Sequence, residues 1–223
     1  MEQSIPLAQK IYFLGIHPEK GGIRSTSQTG INYVLNGTLL MELYLDKKIK
    51  FDEKRIVVLS SKSDNQLHRF ILEKLSESNT PRKIGRWINK LNYSQKYIRS
   101  EVQNELVKKR LIRLEPKRFL FFSWKKPFIT NKQLMYSLID DIDKQIFNGT
   151  SVEEELIFLS FLKPGGFLNR LYRDGKKRKL ARARLKEMMV ENRVSGAVAD
   201  AITAARAVAA SVAVTAATSS AAT

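Results

Sequence analysis

Lys96 and Arg99 stand three residues apart in a segment, Lys96 to Lys109, whose pattern predicts a helix. Three-residue spacing puts both cations on one helix face, where they could converge on a single phosphate through charge-assisted hydrogen bonds. A second group is Phe119, Phe121, Phe122, Trp124, Lys125 and Lys126, which joins apolar rings, an indole and two cations within eight residues. Trp favours the headgroup level of a bilayer, and lysines gain about 1 kcal/mol each near an anionic surface. In any hairpin, however, alternate residues face the core, which would also account for the rings. The longest run of charge is Arg170, Arg173, Lys176, Lys177, Arg178, Lys179, Arg182, Arg184 and Lys186. Leu180, Leu185, Met188 and Met189 give that segment an apolar side, so it reads as a solvated amphipathic helix, with membrane attraction as its second role.

Catalytic chemistry finds little to use. His17 and His68 are the two histidines, and neither has neighbours at metal-ligand spacing. Gly21-Gly22 has no Lys-Ser/Thr after it as a phosphate loop requires. On a helix the adjacent Asp140 and Asp141 diverge by about 100°, so with Asp143 they read as a solvated face rather than a shared metal site, and Glu153 to Glu155 sit where a helix start favours acids. The sequence therefore predicts no enzyme, no cofactor and no metal site. Cysteine is absent, which removes disulfides and thiolate sites.

These groups rest on a chain of 223 residues with a formal net charge of +17 and 43% hydrophobic residues. That is enough apolar material for a core, and enough charge to draw polyanions: nucleic acid or the anionic face of a membrane. MEQSIPLAQK lacks a secretory signal's pattern, and no run of about 18 apolar residues occurs, so attachment to the membrane surface is expected rather than a span.

Along the chain, Pro6 to Ile16 predicts a short amphipathic helix with Leu7, Ile11 and Leu14 on one stripe. His17 to Gly30 predicts loop, and Ile31 to Lys47 a second helix. Residues 49–51 and 55–59 predict a hairpin about the turn Asp52-Glu53-Lys54. The same grammar returns 63 residues later: ELYLDKKIKFDEKRIVVLS (Glu42 to Ser60) aligns without a gap on ELVKKRLIRLEPKRFLFFS (Glu105 to Ser123). Each copy reads as a helix end running into a β-hairpin with a charged turn. Asn65 to Ser76, Arg82 to Leu91, Asn131 to Phe147 and Val152 to Leu162 predict further helices, Pro164-Gly165-Gly166 a break, and Ser195 to Ala217 an Ala/Val helix. The expected fold is mainly α: a helical bundle core with surrounding amphipathic helices and two short β-hairpins, as one domain over 1–217 with a frayed tail at 218–223.

Four segments in order carry a family resemblance: PLAQKIYFLGI, LNGTLLMELYLDKKIKF (Leu35 to Phe51), RWINKL (Arg86 to Leu91) and RSEVQNELVKKRLIRLEPKRFLFFSWKKPFIT (Arg99 to Thr130). Together they resemble the Golgi phosphoprotein family. The resemblance implies a mainly α-helical fold, a protruding hairpin and a shallow pocket for phosphatidylinositol 4-phosphate. Its basic pair falls on Lys96 and Arg99, its Leu-Arg-Gly arginine position on Asn36, and its tryptophan position near Ser27. Arg24 or Lys20 would then supply the missing charge. The resemblance also implies that the 112–128 hairpin serves self-association and membrane tethering. No arginine cluster precedes the first helix, so a short prokaryotic-like member is expected, without the coat-adaptor role. It would be cytoplasmic and peripheral on a membrane, the cytosolic face of the Golgi in a eukaryote or the inner membrane in a bacterium. The alternative is a winged-helix nucleic-acid-binding protein with Lys108, Lys109, Arg110 and Arg113 near the wing, although no recognition helix is evident.

Overall fold

The structure, a computed structural model, describes residues 5–23, 25–191, 198, 199 and 203, without the side chains of 25–29, 122 and 191. Among the described residues it is mainly α-helical, with nine helices and two small antiparallel sheets.

Helix α1 (Leu7–Gly15) buries every residue except Lys10. The sequence suggested an amphipathic helix with one apolar stripe. Instead α1 is enclosed, with α2 (Ser25–Leu45) and α5 (Gln95–Lys108) packed on it. Two of its polar groups are satisfied internally: Gln103 donates to the Tyr12 hydroxyl, and Glu42 accepts from the Ala8 amide at 2.7 Å. Lys10 leaves the core through an ion pair with Glu154 at 3.3 Å.

Helix α2 starts six residues before the expected Ile31, and the predicted loop shrinks accordingly. Ser and Thr, which favour loops, are also favoured where helices begin. The preceding loop is held by an Ile16–Ile23 bridge and by Gly22, whose N–H donates to the Pro127 carbonyl at 2.7 Å.

The internal repeat is visible atom by atom where each helix ends. Lys47 and Arg110, 63 residues apart, both adopt left-handed backbone, with φ of 54° and 56°. The bonds Lys47 N–H to Tyr44 and Lys48 N–H to Leu43, both 2.9 Å, recur as Arg110 to Val107 at 2.8 Å and Leu111 to Leu106 at 2.9 Å. Both helices thus close on the same left-handed cap and enter a strand at a buried isoleucine, Ile49 or Ile112.

The copies then part. In the first, β1 (Ile49–Asp52) and β2 (Arg55–Val58) join through Glu53 and Lys54, both at positive φ (45° and 65°). That tight turn matches the twist of its strands. In the second, the turn that the repeat alignment places at residues 115–117 lies inside β4 (Ile112–Phe119), which pairs with β5 (Phe122–Ile129) around Leu120 and Phe121. The position equivalent to Glu53 is Pro116, whose ring fixes φ near −65° and forbids the turn. The second hairpin is therefore neither short nor charged at its turn: it runs on until Leu120 turns left-handed at φ 51°.

The first hairpin gains a third strand, β3 (Arg82–Lys83), where a helix start was expected, and α4 runs from Ile84 to Asn92. Helices α3 (Gln66–Ser76), α6 (Lys132–Asn148), α7 (Glu153–Ser160), α8 (Leu168–Leu171) and α9 (Gly175–Glu191) complete the set. Asn65 and Asn131 cap α3 and α6 through their side-chain oxygens. On α9 the inward stripe is Ala181, Leu185 and Met188, whereas Leu180, expected on the apolar side, faces solvent. Val198, Ala199 and Thr203 are helical; the rest of the expected Ala/Val helix and the 218–223 tail lie outside the described residues.

Candidate lipid-facing site

Two regions hold the residues that the sequence singles out for anion or membrane contact: the corner where α4 meets α5, and the second hairpin.

At the corner, Gln95 opens α5 and is buried. Its amide nitrogen donates to the Asn36 Oδ1 at 2.5 Å and to the Asn32 carbonyl at 3.2 Å, while the Asn36 amide nitrogen donates to the Ile88 carbonyl at 2.9 Å. This relay locks α2, α4 and the start of α5 together. Asn36 is fully enclosed, so the residue placed by resemblance in a headgroup pocket cannot touch a headgroup. Its role is to fix Gln95 and hence the first turn of α5. Lys96 is exposed and Arg99 half-buried on that turn, and neither forms an ion pair among the described residues. They are two uncompensated cations on one face, as their spacing suggested. Tyr93, at the end of α4, stands almost wholly in solvent beside them. Ser27 lies within α2, its side chain outside the described part; Arg24 lies outside it altogether.

In the hairpin, no described side chain from Glu115 to Lys126 is buried. Ile112, Pro127 and Ile129 anchor its base in the core. Phe119 is 66% exposed, Leu120 69%, Phe121 96% and Trp124 50%. Leu120 was not singled out from the sequence, because the repeat alignment placed the turn four residues earlier. Phe122 pairs with Phe119 through the backbone. Five cations and one carboxylate accompany these rings between Ile112 and Ile129. Lys117 and Arg113 flank that carboxylate, Glu115, at 3.1 and 2.8 Å and hold its pKa below the usual range. Arg113, Lys126 and Lys117 surround the Phe128 ring at 5.0, 5.5 and 5.8 Å from its centroid, a cation–π cluster that sequence spacing alone did not reveal. Lys125 is exposed.

The base of the hairpin is braced by the loop after α1. Gly21 packs so closely that a Cβ there would lie 2.6 Å from the Phe128 ring and 2.7 Å from the Pro127 carbonyl, at a φ of +63°. Only glycine fits, and this accounts for the Gly21-Gly22 pair without a bound phosphate.

Elsewhere charge is structural. Asp140 pairs with Lys144 at 2.6 Å and Asp143 with Lys177 at 2.9 Å, so these acids take separate partners. His68 is buried, with Nε2 2.7 Å from Glu42 and Nδ1 3.3 Å from Asp46. Burial alone would lower its pKa; Glu42, then Asp46, more than reverse that, so it stands above the ordinary 6.5. Among the described residues no three His, Cys, Asp or Glu side chains are grouped to hold a metal ion, and no helix is long and apolar enough to cross a membrane.

No curated protein matches the sequence significantly. The family described as Golgi phosphoprotein 3 (GPP34) matches residues 7–205, a span that takes in α1, the α4–α5 corner, both hairpins and α9. The chain belongs to the Golgi phosphoprotein 3 family.

Proposed function

We propose that this protein is a non-enzymatic, peripheral membrane protein that binds anionic lipid, with phosphatidylinositol 4-phosphate as the ligand that the family resemblance implies. The observation that carries the reading is the hairpin tip. A folded chain leaves Leu120 and Phe121 in water at a turn where polar or glycine residues would be less costly. Cations flank this tip, so it can approach an anionic surface before its apolar residues enter the acyl boundary. Lys96 and Arg99 supply a second contact, suited to a phosphate because neither pairs with a carboxylate among the described residues and their helix turn is fixed by the Asn36–Gln95 relay. The attachment is cytoplasmic and peripheral, at the Golgi in a eukaryote or the inner membrane in a bacterium, and the exposed hairpin also offers a surface for homo-oligomers.

A nucleic-acid wing fits the tip less well. Wings hold phosphates with cations at their ends, and this one ends in Leu120 and Phe121.

The test is co-sedimentation with vesicles containing phosphatidylinositol 4-phosphate, beside vesicles matched in charge with phosphatidylserine, for wild type and Lys96→Ala/Arg99→Ala. A phosphoinositide preference that the double variant loses is expected. Equal binding to both vesicles would reduce the site to generic electrostatic attachment. No binding to either, with a shift of random duplex, would favour nucleic acid.

A further inference from the structure

The register of the second hairpin sorts its side chains onto two faces. Cross-strand partners in an antiparallel ribbon share a face, and the faces alternate along each strand. With Arg113 paired to Phe128 and Lys117 to Trp124, one face carries Arg113, Glu115, Lys117 and Phe119 from β4. Trp124, Lys126 and Phe128 join it from β5. Beyond its buried base, the opposite face carries Pro116, Arg118, Ser123 and Lys125. Charge does not separate the two, since cations stand on both. The rings do: Phe119 and Trp124 are exposed on the first face, and the described part of the second face has no aromatic side chain.

The first face is also graded along its length. Lys117 stands opposite Trp124, yet its ammonium lies 5.8 Å from the ring centroid of Phe128, nearer the base. Its side chain therefore runs toward the base, where Arg113 and Lys126 approach the same ring at 5.0 and 5.5 Å. The outer half of the face is left to Phe119 and Trp124, and the inner half gathers the three cations and Glu115. From Trp124 to Phe128 the two halves are about 14 Å apart along the ribbon, at about 3.4 Å per residue. A bilayer presents apolar boundary and phosphates in the same order but closer together, because each headgroup layer is only about 5–8 Å thick. An upright ribbon with its rings at the acyl boundary would hold its cations above the phosphates, in water. The spacings agree when the ribbon lies roughly 20–30° from the membrane plane, and then only one face looks down.

We propose that the second hairpin meets an anionic bilayer obliquely, with Phe119 and Trp124 at the acyl boundary and Arg113, Lys117 and Lys126 on lipid phosphates. The face of Arg118, Ser123 and Lys125 is turned to water. This placement rests on the peripheral-membrane reading above and adds to it which surface of the hairpin the lipid touches. Gly21 and Gly22 pack against Phe128 and Lys126 at the base of the lower face, so the body of the protein fixes its orientation. Arg118 and Lys125 stay hydrated and contribute through the field that draws the protein to the surface.

The chain has no cysteine, so a single thiol introduced on either face takes a polarity-sensitive fluorophore cleanly. Lys117→Cys and Lys126→Cys report the lower face and Ser123→Cys and Lys125→Cys the upper. Each is read in the full chain on phosphatidylserine vesicles, with the bound fraction taken from co-sedimentation. Emission shifts to shorter wavelength at the two lower positions should exceed those at the two upper ones at least about twofold. Distance from the tip predicts a different order, because Ser123 lies nearer the tip than Lys117, and Lys126 lies farthest of the four. None of these residues is buried, and Glu115→Cys replaces a lower-face variant that lowers the melting temperature. Unlabelled wild type gives a second reading: Trp87 is buried, so a shift in tryptophan emission on binding belongs to Trp124. In protein that co-sediments, three results would overturn the oblique placement and leave the membrane reading intact: label shifts that decline steadily from Ser123 to Lys126, label shifts equal on the two faces, or unchanged tryptophan emission. Failure of wild type to co-sediment would overturn both.

Discussion

Leu120→Asn should change stability and membrane binding in opposite directions. Leu120 adopts φ 51° at the hairpin turn and is 69% exposed, so it contributes little to the core while occupying left-handed backbone. That conformation costs a non-glycine residue about 1–2 kcal/mol, and Asn tolerates it better than Leu. The substitution should therefore raise stability by about 0.5–1 kcal/mol, or roughly 2–4 °C in melting temperature at the upper end for a chain of this size. The same leucine, if it enters the acyl boundary, gains most of the roughly 1.5–3 kcal/mol available to a fully buried leucine. Scaled by its exposure, that is about 1–2 kcal/mol, or roughly five- to thirtyfold in vesicle partitioning. Thermal melts and co-sedimentation with phosphatidylserine vesicles on one preparation read both effects. A variant that is more stable yet partitions like wild type would refute the insertion of the tip. A variant that is clearly less stable would refute the account of the turn.

Further outcomes follow from the packing. His68→Gln should lower stability by about 2–3 kcal/mol, as expected for loss of a buried charge-assisted hydrogen bond. Because the folded pKa of His68 is raised, this stabilisation is fully present below the unfolded value near 6.5 and fades as pH rises through the folded value. The difference in melting temperature between wild type and His68→Gln should thus be larger at pH 6 than at pH 9; an equal difference would show that the His68–Glu42–Asp46 contacts act without charge. Gly21→Ala should cost about 2 kcal/mol or more in denaturant melts, through the close approach to Phe128 and the positive φ together; a neutral effect would show that the loop after α1 does not brace the hairpin. Asn36→Ala, which leaves the Ile88 carbonyl and the Gln95 amide without this partner, should cost about 1–3 kcal/mol. The same variant should weaken phosphoinositide binding without removing a ligand contact; unchanged lipid binding would show that the relay does not position Lys96 and Arg99.

The sequence by itself determined helices α3 to α7 to within a few residues, whereas α8 was not foreseen and the basic run read as one helix from Arg170 becomes α9 only from Gly175. It also determined the paired helix ends at Lys47 and Arg110 and the shared face of Lys96 and Arg99. Each of these depends on residues within one or two turns of one another, where apolar spacing and capping chemistry act directly. The second turn was also encoded locally, since Pro116 cannot take the φ of Glu53, but the likeness of the two copies concealed it. Tertiary structure decided the rest. Leu7, Ile11 and Leu14 show that α1 has an apolar stripe, yet only the placement of α2 and α5 makes its other faces interior as well. Asn36 became a core residue because Gln95 and Ile88, more than fifty residues away, satisfy its amide. His68 acquired its two carboxylates across 26 and 22 residues, and Gly21 became irreplaceable because β5 passes against it. Local pattern fixes which side of an element is apolar; which neighbour covers it, and which polar groups that neighbour must then satisfy, is set by pairings that no single segment contains.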